Sequence, residues 1–247
     1  MTVHYKTEGF VFKGLDRLEA DKVFSVFTLD FGRIEVFGKS IRKIDSKLKS
    51  GIEIFSLSEI AFIQGRNKKT LTDALFVDKF KNIKQNPEKF EIVKNISNLV
   101  DNFIKNEEKD LEVFDLLNDS FGKLNDNLLP VSYCPFIYYY FFWNFISVLG
   151  HKPELSKCVS CYEVLNPEKL YFSNNDGGVV CLKCYSDQKR DLLDVNSDTV
   201  KILRLIIKKD WSILSKLKIE KNNIKLLDKI SGDYLKFLLS NYSNQNL

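Results

Sequence analysis

The cysteines constrain this chain more than any other feature of its sequence. Four of the five cysteines form two Cys-x-x-Cys pairs, separated by nineteen residues: Cys158 with Cys161, and Cys181 with Cys184. This spacing is typical of a zinc site, because a two-residue gap lets both sulfurs of a pair reach one ion. Two disulfides, or thiols that have this spacing by chance, are the alternatives. Four sulfur ligands would leave no position for water, so the predicted site is structural rather than catalytic.

The segment between the cysteine pairs has the pattern of a β-hairpin. Residues 171–173 and 177–180 are apolar stretches joined by a turn that contains Gly177 and Gly178. Glycine adopts the backbone angles of tight turns without steric cost. The hairpin would deliver the second cysteine pair to the metal.

Composition indicates an ordinary globular protein of the cytoplasm. The chain has 247 residues, of which 44% are apolar and 28% charged, with a net charge of +4. Residues 1–9 lack the apolar core of a signal peptide. The most apolar run, residues 133–149, is shorter than a membrane span and is interrupted by Pro135 and Asn144. Because four of the five cysteines lie in the pairs, the cysteine content suits a reducing compartment. The remaining cysteine, Cys134, is expected to be a buried thiol.

The first third of the chain predicts a small β-barrel or sandwich. Five segments are rich in β-branched and aromatic residues and are separated by turns: 5–13, 22–29, 33–37, 52–63 and 70–77. A five-stranded Greek-key barrel such as the OB-fold fits this pattern. Periodicity alone does not choose between it and an SH3-like barrel.

The remainder of the chain predicts helices around the metal segment. Apolar residues recur at helical spacing over 88–104 and 111–124, and 136–149 is apolar nearly all round, as expected for a buried helix. Further helices are expected from Asn196-Ser197-Asp198 to about Lys209 and over 223–239. We therefore expect an α+β chain of several domains: an OB-fold-like barrel (1–80), a helical domain in two parts (81–155 and 189–247) and an inserted four-cysteine zinc finger (156–188).

Motifs for catalysis are absent from the sequence. Gly9 and Gly14 have the glycine spacing of a phosphate-binding loop, but Leu15 and Asp16 follow where Lys and Ser/Thr are required. There are two histidines, no His-Glu-x-x-His pattern and no compact acidic cluster for two magnesium ions. The sequence therefore favours a binding protein over an enzyme.

Several segments together resemble the bacterial DNA repair protein RecO family, in its zinc-bearing branch. They are 9–13 (GFVFK), 18–22 (LEADK), 38–43 (GKSIRK), 71–74 (LTDA) and 149–155 (LGHKPEL), followed by the two cysteine pairs in the same order. The chain departs from the family pattern at Ser40 and Tyr162, where Gly is common, and at Lys22, where Arg is usual. The resemblance extends over essentially the whole chain.

This resemblance implies an OB-fold, a helical domain and a zinc finger with one structural zinc ion. It also implies a non-enzymatic recombination mediator that binds single- and double-stranded DNA and anneals complementary strands. With RecR, such a protein helps load RecA onto strands coated by single-stranded DNA-binding protein (SSB), whose C-terminal tail is a further partner expected in the helical domain. It would act in the cytoplasm, associated with the nucleoid.

The candidate DNA contacts are cations of the first third of the chain. Residues 39–49 carry five basic side chains against one acid, and 66–69 form a second cluster, although such runs are more often solvated surface. Phe31 and Phe37 are candidates for stacking on bases. The predicted DNA-binding residues are Arg17, Lys22, Lys39, Arg42, Lys43, Lys47 and Arg66.

Other functions remain compatible with the same motifs. A zinc-ribbon transcription or translation factor would use an OB module on structured RNA or duplex DNA. A protein-interaction adaptor would carry the basic cluster only as solvated surface. A metal nuclease is the third alternative.

Overall fold

The computed structural model describes residues 3–130, 133–188 and 192–245. The chain forms two compact units, Met1–Cys134 and Pro135–Leu247. In the part of the chain that is described, no helix is both long and apolar enough to cross a membrane.

The first unit contains a closed five-stranded barrel. Its strands are β1 (His4–Arg17), β2 (Asp21–Thr28), β3 (Gly32–Gly38), β4 (Leu57–Gln64) and β5 (Lys69–Asp78). They close in the order β1-β2-β3-β5-β4, antiparallel throughout except for the parallel pair β3–β5. This is the order of the OB-fold, so the predicted OB-fold-like barrel is confirmed.

The length of β1 allows the barrel to close. Its first half pairs with β4 and its second half with β2, and the register shifts between Val11 and Lys13. A bulge of this kind bends the strand and lets one strand serve two neighbours. The barrel interior is filled by buried apolar side chains from all five strands, among them Val11, Phe24, Val26, Ile34, Val36, Ile60, Phe62 and Leu71.

The fourth strand begins later than its sequence pattern predicts. The apolar run starts at Ile52, but β4 starts at Leu57, after a short 3-10 helix (Lys47–Ser50) and an irregular segment. Phe55 has a positive φ of 56°, and its N–H donates to the carbonyl oxygen of Val11. Ile52 and Phe55 are buried, so the segment has the apolar pattern of a strand although its backbone is not extended.

Three helices follow in the same unit: α1 (Lys81–Lys84), α2 (Pro87–Phe103) and α3 (Leu111–Asn125). The side chain of Asn86 caps α2 by accepting from the N–H groups of Glu88 and Lys89, and Asp110 caps α3. The aromatic ring of Phe10 on β1 contacts Phe80, Phe114 and Phe121. Burial of these rings packs the helices onto the barrel.

A buried carboxylate also joins α2 to the barrel. Asp101 of α2 accepts hydrogen bonds from Nζ of Lys13 and from Nε of Arg33, each at 2.5 Å. Burial raises the pKa of this carboxyl, but the two cationic donors outweigh that effect and hold it below its usual value. Asp101 is therefore ionised in the folded state and is a buried ion-pair junction of the first unit.

The second unit is built around α4 (Cys134–Val148), the predicted buried helix. Its polar side chains are satisfied inside the unit: Nε1 of Trp143 donates to Oγ of Ser231, and Nδ2 of Asn144 donates to the carbonyl oxygen of Ile206. The surrounding helices are α5 (Leu182–Gln188), α6 (Ser197–Ile207), α7 (Trp211–Leu214) and α8 (Lys221–Gln245). The helix predicted to about Lys209 is α6, which ends two residues earlier, and α8 contains the helix predicted over 223–239.

A small antiparallel sheet completes the second unit. The predicted hairpin is present as β6 (Leu170–Ser173) and β7 (Gly178–Cys181), with Gly177 at a φ of 65° in the turn. A third strand, β8 (Leu193–Val195), pairs with the other edge of β6. The ring of Phe172 packs against Trp143 of α4 and Tyr234 of α8. The hairpin that carries the second cysteine pair is thereby fixed to the core of its unit.

Candidate metal centre and nucleic-acid surface

The four paired cysteines converge on one point. The Sγ atoms of Cys158, Cys161, Cys181 and Cys184 all lie within 4.8 Å of one another, and those of Cys161 and Cys181 are 3.9 Å apart. All four are free of disulfides. A zinc–sulfur distance of about 2.3 Å in a tetrahedron requires sulfurs about 3.8 Å apart. The cluster could therefore hold one metal ion.

Local backbone geometry places the first pair. The N–H of Cys158 donates to the carbonyl oxygen of Glu163 at 2.8 Å, and the N–H of Tyr162 donates back to the carbonyl oxygen of Cys158 at 2.9 Å. Tyr162, directly after the pair, has a φ of 63° in the left-handed region. This conformation explains why glycine suits the position, and Tyr162 fills it with its side chain 75% exposed.

The second pair is placed by the hairpin. Cys181 ends β7, and Cys184 lies in the first turns of α5. The rings of Tyr171 and Tyr185 stack with their centroids 3.7 Å apart, which holds α5 against β6. Both cysteine pairs are therefore positioned by short-range structure within the second unit.

The thiols have unequal acidities. Burial raises the pKa of Cys158, but N–H groups of Cys161, Cys181 and Ser160 point at its sulfur and lower that pKa to about 6. For Cys184, burial and the neighbouring thiols raise the pKa to about 12. A bound divalent cation would lower the pKa of all four thiols, because it stabilises four adjacent thiolates that otherwise repel one another.

The register of the barrel brings three turns to one end of it. Asp16 on β1 pairs with Lys22 on β2, Lys22 pairs with Gly38 at the end of β3, and β3 is joined there to the start of β5. We call this end the basic rim. It consists of the β1–β2 turn with its flanking Arg17 (17–20), the segment 38–43 after β3 and the β4–β5 turn (65–68).

Two turns of the basic rim are tied together by hydrogen bonds. The N–H of Arg42 donates to the carbonyl oxygen of Ala20 at 2.9 Å, and the N–H of Ser40 donates to Oδ1 of Asp21 at 2.7 Å. Ser40 has a φ of 54°, in the left-handed region that glycine adopts without strain. These bonds fix the segment 38–43 against the β1–β2 turn.

The predicted DNA-binding cations are distributed around this rim. Arg17, Lys39, Arg42, Lys43 and Arg66 lie on its three turns, and Lys22 lies on β2 directly beside it. Lys47 lies apart, on the 3-10 helix. Lys22 and Arg42 share Asp16 as an ion-pair partner, at 3.3 and 3.5 Å. Among the described residues, no carboxylate pairs with the other five: Arg17, Lys39, Lys43, Lys47 and Arg66.

A groove runs along the outer face of β2 and β3 at this rim. We call it the outer-face groove; its volume is about 470 Å³. Nζ of Lys68 lies 3.9 Å from the ring centroid of Phe37, on the groove wall. The groove is lined by Val23, Arg33, Glu35, Phe37, Gln64, Arg66, Asn67, Lys68, Lys69, Lys105 and Glu107.

The sequence pattern identifies only part of this groove. Arg66 and Phe37 are sequence candidates, and both line it. Lys105 and Arg33 also line it without being candidates, because Lys105 follows α2 and Arg33 lies within a predicted strand. Phe31, the other stacking candidate, lies at the opposite end of the barrel, where its ring contacts Tyr5 and Phe62. It packs against the barrel core and is not on the rim.

Comparison with known proteins identifies two matching family models. A family model described as "Recombination protein O N terminal" matches residues 1–80, and "Recombination protein O C terminal" matches residues 84–245. These matches meet close to the end of the barrel, whereas the compact units divide after α3. The predicted division into a barrel, two helical parts and an inserted zinc finger stays a prediction.

Relatives are similar along nearly the whole chain. A protein named "DNA repair protein RecO" from Dehalococcoides mccartyi strain 195 is 30% identical over 235 residues, covering 95% of this chain and 90% of the relative. Proteins of the same name from Thermodesulfovibrio yellowstonii and Caldicellulosiruptor saccharolyticus are 27% and 26% identical, each covering at least 95% of this chain and 91% of the relative. None of these three names carries an enzymatic activity. The chain belongs to the RecO family of DNA repair and recombination proteins.

Proposed function

We propose that this chain is a recombination mediator that binds single- and double-stranded DNA and anneals complementary strands. In the same proposal it acts with RecR to help load RecA onto strands coated by SSB, in the cytoplasm at the nucleoid. Membership of the RecO family supports repair and recombination. The observation that carries the DNA-binding step is the basic rim, where three turns of an OB-fold-like barrel place six cations at one end.

The rim has the properties that sequence-independent strand binding requires. OB-folds bind oligonucleotides on the face of β2 and β3 and on the β1–β2 and β4–β5 loops, and the outer-face groove lies on that face. Cations without carboxylate partners are free to contact phosphates. Phe37 offers a ring for stacking, and Lys68 can exchange its contact with that ring for a phosphate.

Annealing follows from the same contacts. Neutralisation of phosphates by the rim lowers the repulsion between two polyanions. Contacts to the backbone leave the Watson–Crick edges of the bases available for pairing. The chemistry needs no nucleotide hydrolysis, which agrees with the absent phosphate-binding loop in the sequence.

The salt dependence of binding tests the rim directly. If Arg17, Lys39, Arg42 and Lys43 each neutralise one phosphate, the affinity for single strands should fall with salt with a log–log slope of roughly −3, from about −0.7 per contact. Lys39→Glu/Lys43→Glu removes two contacts that no described carboxylate shares. It should make the slope shallower by about 1.4.

The matched control reverses two exposed lysines of the second unit, Lys218→Glu/Lys225→Glu, and should leave the slope unchanged. Binding that is insensitive to salt, or equal slopes for all three proteins, would contradict the proposal. Competition between single-stranded DNA, duplex DNA and structured RNA separates a repair mediator from an RNA-binding zinc-ribbon protein.

We also propose that the four cysteines hold one structural zinc ion. A closed set of four thiolates suits zinc and leaves no position for a substrate. Bound zinc would supply a cross-link between the loop of the first pair and the β6–β7 hairpin. Cys158 and Cys184 are buried, so they belong to the local core as well as to the ligand set. The site therefore supports folding of the second unit rather than contact with DNA.

A further inference from the structure

A second groove opens at the mouth of the barrel. We call it the mouth groove; its volume is about 670 Å³. Its floor is formed by barrel-core side chains, Phe24, Ile41 and Ile52, with the exposed Ile54 at its side. The remaining lining residues are Gly14, Lys22, Arg42, Lys49, Ser50, Glu53, Phe76 and Lys79.

The mouth groove is electropositive. Four basic side chains line it, of which Lys22 and Arg42 pair with Asp16 and Lys49 and Lys79 do not. The acidic side chain that lines it, Glu53, binds Nζ of Lys84 through Oε2 at 2.8 Å. Lys49 and Lys79 are exposed, and neither is paired with a carboxylate in the part of the chain that the structure describes. These two ammonium groups are available to an external anion.

The groove also offers an aromatic surface. Nζ of Lys79 lies 4.4 Å from the ring centroid of half-buried Phe76. The same pairing of an ammonium group with a ring occurs in the outer-face groove, between Lys68 and Phe37 at 3.9 Å. A phosphate that draws either lysine away exposes the ring to a base, so both grooves have the cationic and aromatic elements of single-strand binding sites.

The two grooves are separated by the strands of the barrel. Side chains alternate between the faces of β2. Lys22 and Phe24 line the mouth groove, whereas Val23 lines the outer-face groove. No residue that the structure describes lines both. A strand held in one groove therefore leaves the other groove unoccupied.

We propose that the mouth groove binds a second single strand of DNA while the outer-face groove holds the first. This inference rests on the proposed annealing function and assigns it two sites on one chain. A single cationic site is neutralised by its first strand and then has little attraction for another polyanion. Two separate sites on opposite faces of β2 avoid that limit. Each includes part of the rim, because Arg66 and Lys68 line the outer-face groove and Arg42 lines the mouth groove.

Native mass spectrometry with short oligothymidylate tests this arrangement, because the strands cannot pair with each other. The wild-type chain should bind two strands per chain. Lys49→Glu/Lys79→Glu should bind one strand, because the outer-face groove is unchanged. It should lose annealing activity, because the second strand has no site. Arg66→Glu/Lys68→Glu should likewise bind one strand, held in the mouth groove. The control Lys218→Glu/Lys225→Glu should bind two.

The outcomes distinguish this inference from the proposed function. A wild-type chain that binds one strand, or a Lys49→Glu/Lys79→Glu chain that binds two and anneals normally, would overturn the mouth groove as a strand site while leaving DNA binding intact. A wild-type chain that binds no strand would overturn the proposed function itself. If the charge reversal prevents folding, seen as loss of circular dichroism, Lys49→Gln/Lys79→Gln gives the same comparison with a smaller change.

Discussion

The ion-pair junction at Asp101 gives a prediction about how the barrel is held to its helices. Its side chain is 8% exposed and contacts Arg33, which is 18% exposed, and Lys13, which is 44% exposed. Asp101→Asn keeps the shape and removes the charge, so the mostly buried Arg33 keeps only its longer contact with the exposed Glu35, at 3.8 Å. Breaking a buried pair costs about 3–5 kcal/mol. Because Lys13 can turn into water, we expect the lower end, about 3 kcal/mol.

Hydrogen exchange of the first unit measures this change. Both tryptophans, Trp143 and Trp211, belong to the second unit, so tryptophan fluorescence does not report on the barrel directly. A loss of about 3 kcal/mol should lower the protection of the most protected β1–β3 amides about a hundredfold, at 1.4 kcal/mol per factor of ten.

The control for this substitution is Glu91→Gln on α2. Glu91 is 57% exposed and pairs with Lys94, which is 51% exposed, three residues along the same helix. Such a pair contributes only about 0.3–0.5 kcal/mol, so protection should change by less than a factor of about three. If the Asp101→Asn and Glu91→Gln chains exchange alike, the assignment of Asp101 as a structural junction is wrong.

The stability that the Asp101 junction contributes should decrease at acidic pH. The pKa of Asp101 is lower in the folded than in the unfolded chain. The contribution of Asp101 to folding stability is therefore fully present above its pKa in the unfolded chain, about 3.9. It is lost as pH falls through its lower pKa in the folded chain. The stability difference between the wild-type and Asp101→Asn chains should be constant near neutral pH and shrink below about pH 4.

Three predictions concern the second unit. Cys181→Ser should abolish metal retention and lower the melting temperature, since structural zinc contributes on the order of 10 kcal/mol in model fingers. The control Cys134→Ala, outside the cluster, should retain the metal in elemental analysis. Tyr162→Gly should stabilise the folded state by about 1 kcal/mol, because glycine accepts the φ of 63° without strain; an unchanged or lower melting temperature would contradict this. Gly178→Ala should destabilise it, because a Cβ there would lie 2.4 Å from the carbonyl oxygen of Glu154; equal thermal unfolding of the Ala variant would refute that packing.

Local patterns in the sequence predict the metal cluster and most of the elements. The cysteine spacing determines which sulfurs can meet, and the Gly-rich turn between two apolar stretches determines the hairpin. The strand β8 is not predicted because it has only three residues, too few to show a period. The strand prediction over 52–56 is wrong because buried apolar residues there lie on an irregular backbone.

Long-range pairing cannot be predicted from these patterns. The parallel contact of β3 with β5 closes the barrel, and it also brings Lys68 over the ring of Phe37. The sequence around either residue does not indicate that the other lies next to it. In sequence, Asp101 is one more polar residue of an amphipathic helix, and its role depends on Lys13 and Arg33 arriving from two strands.

Strand pairing in the absence of ATP is the most direct test of the basic rim. Two complementary oligonucleotides labelled with a donor and an acceptor dye are mixed with the wild-type chain, with Lys39→Glu/Lys43→Glu and with Lys218→Glu/Lys225→Glu. We expect the wild-type and control chains to accelerate pairing over the spontaneous rate and the rim variant to lose most of that acceleration. Spontaneous pairing rates with the wild-type chain, or full acceleration by the rim variant, would contradict a strand-annealing role for the rim.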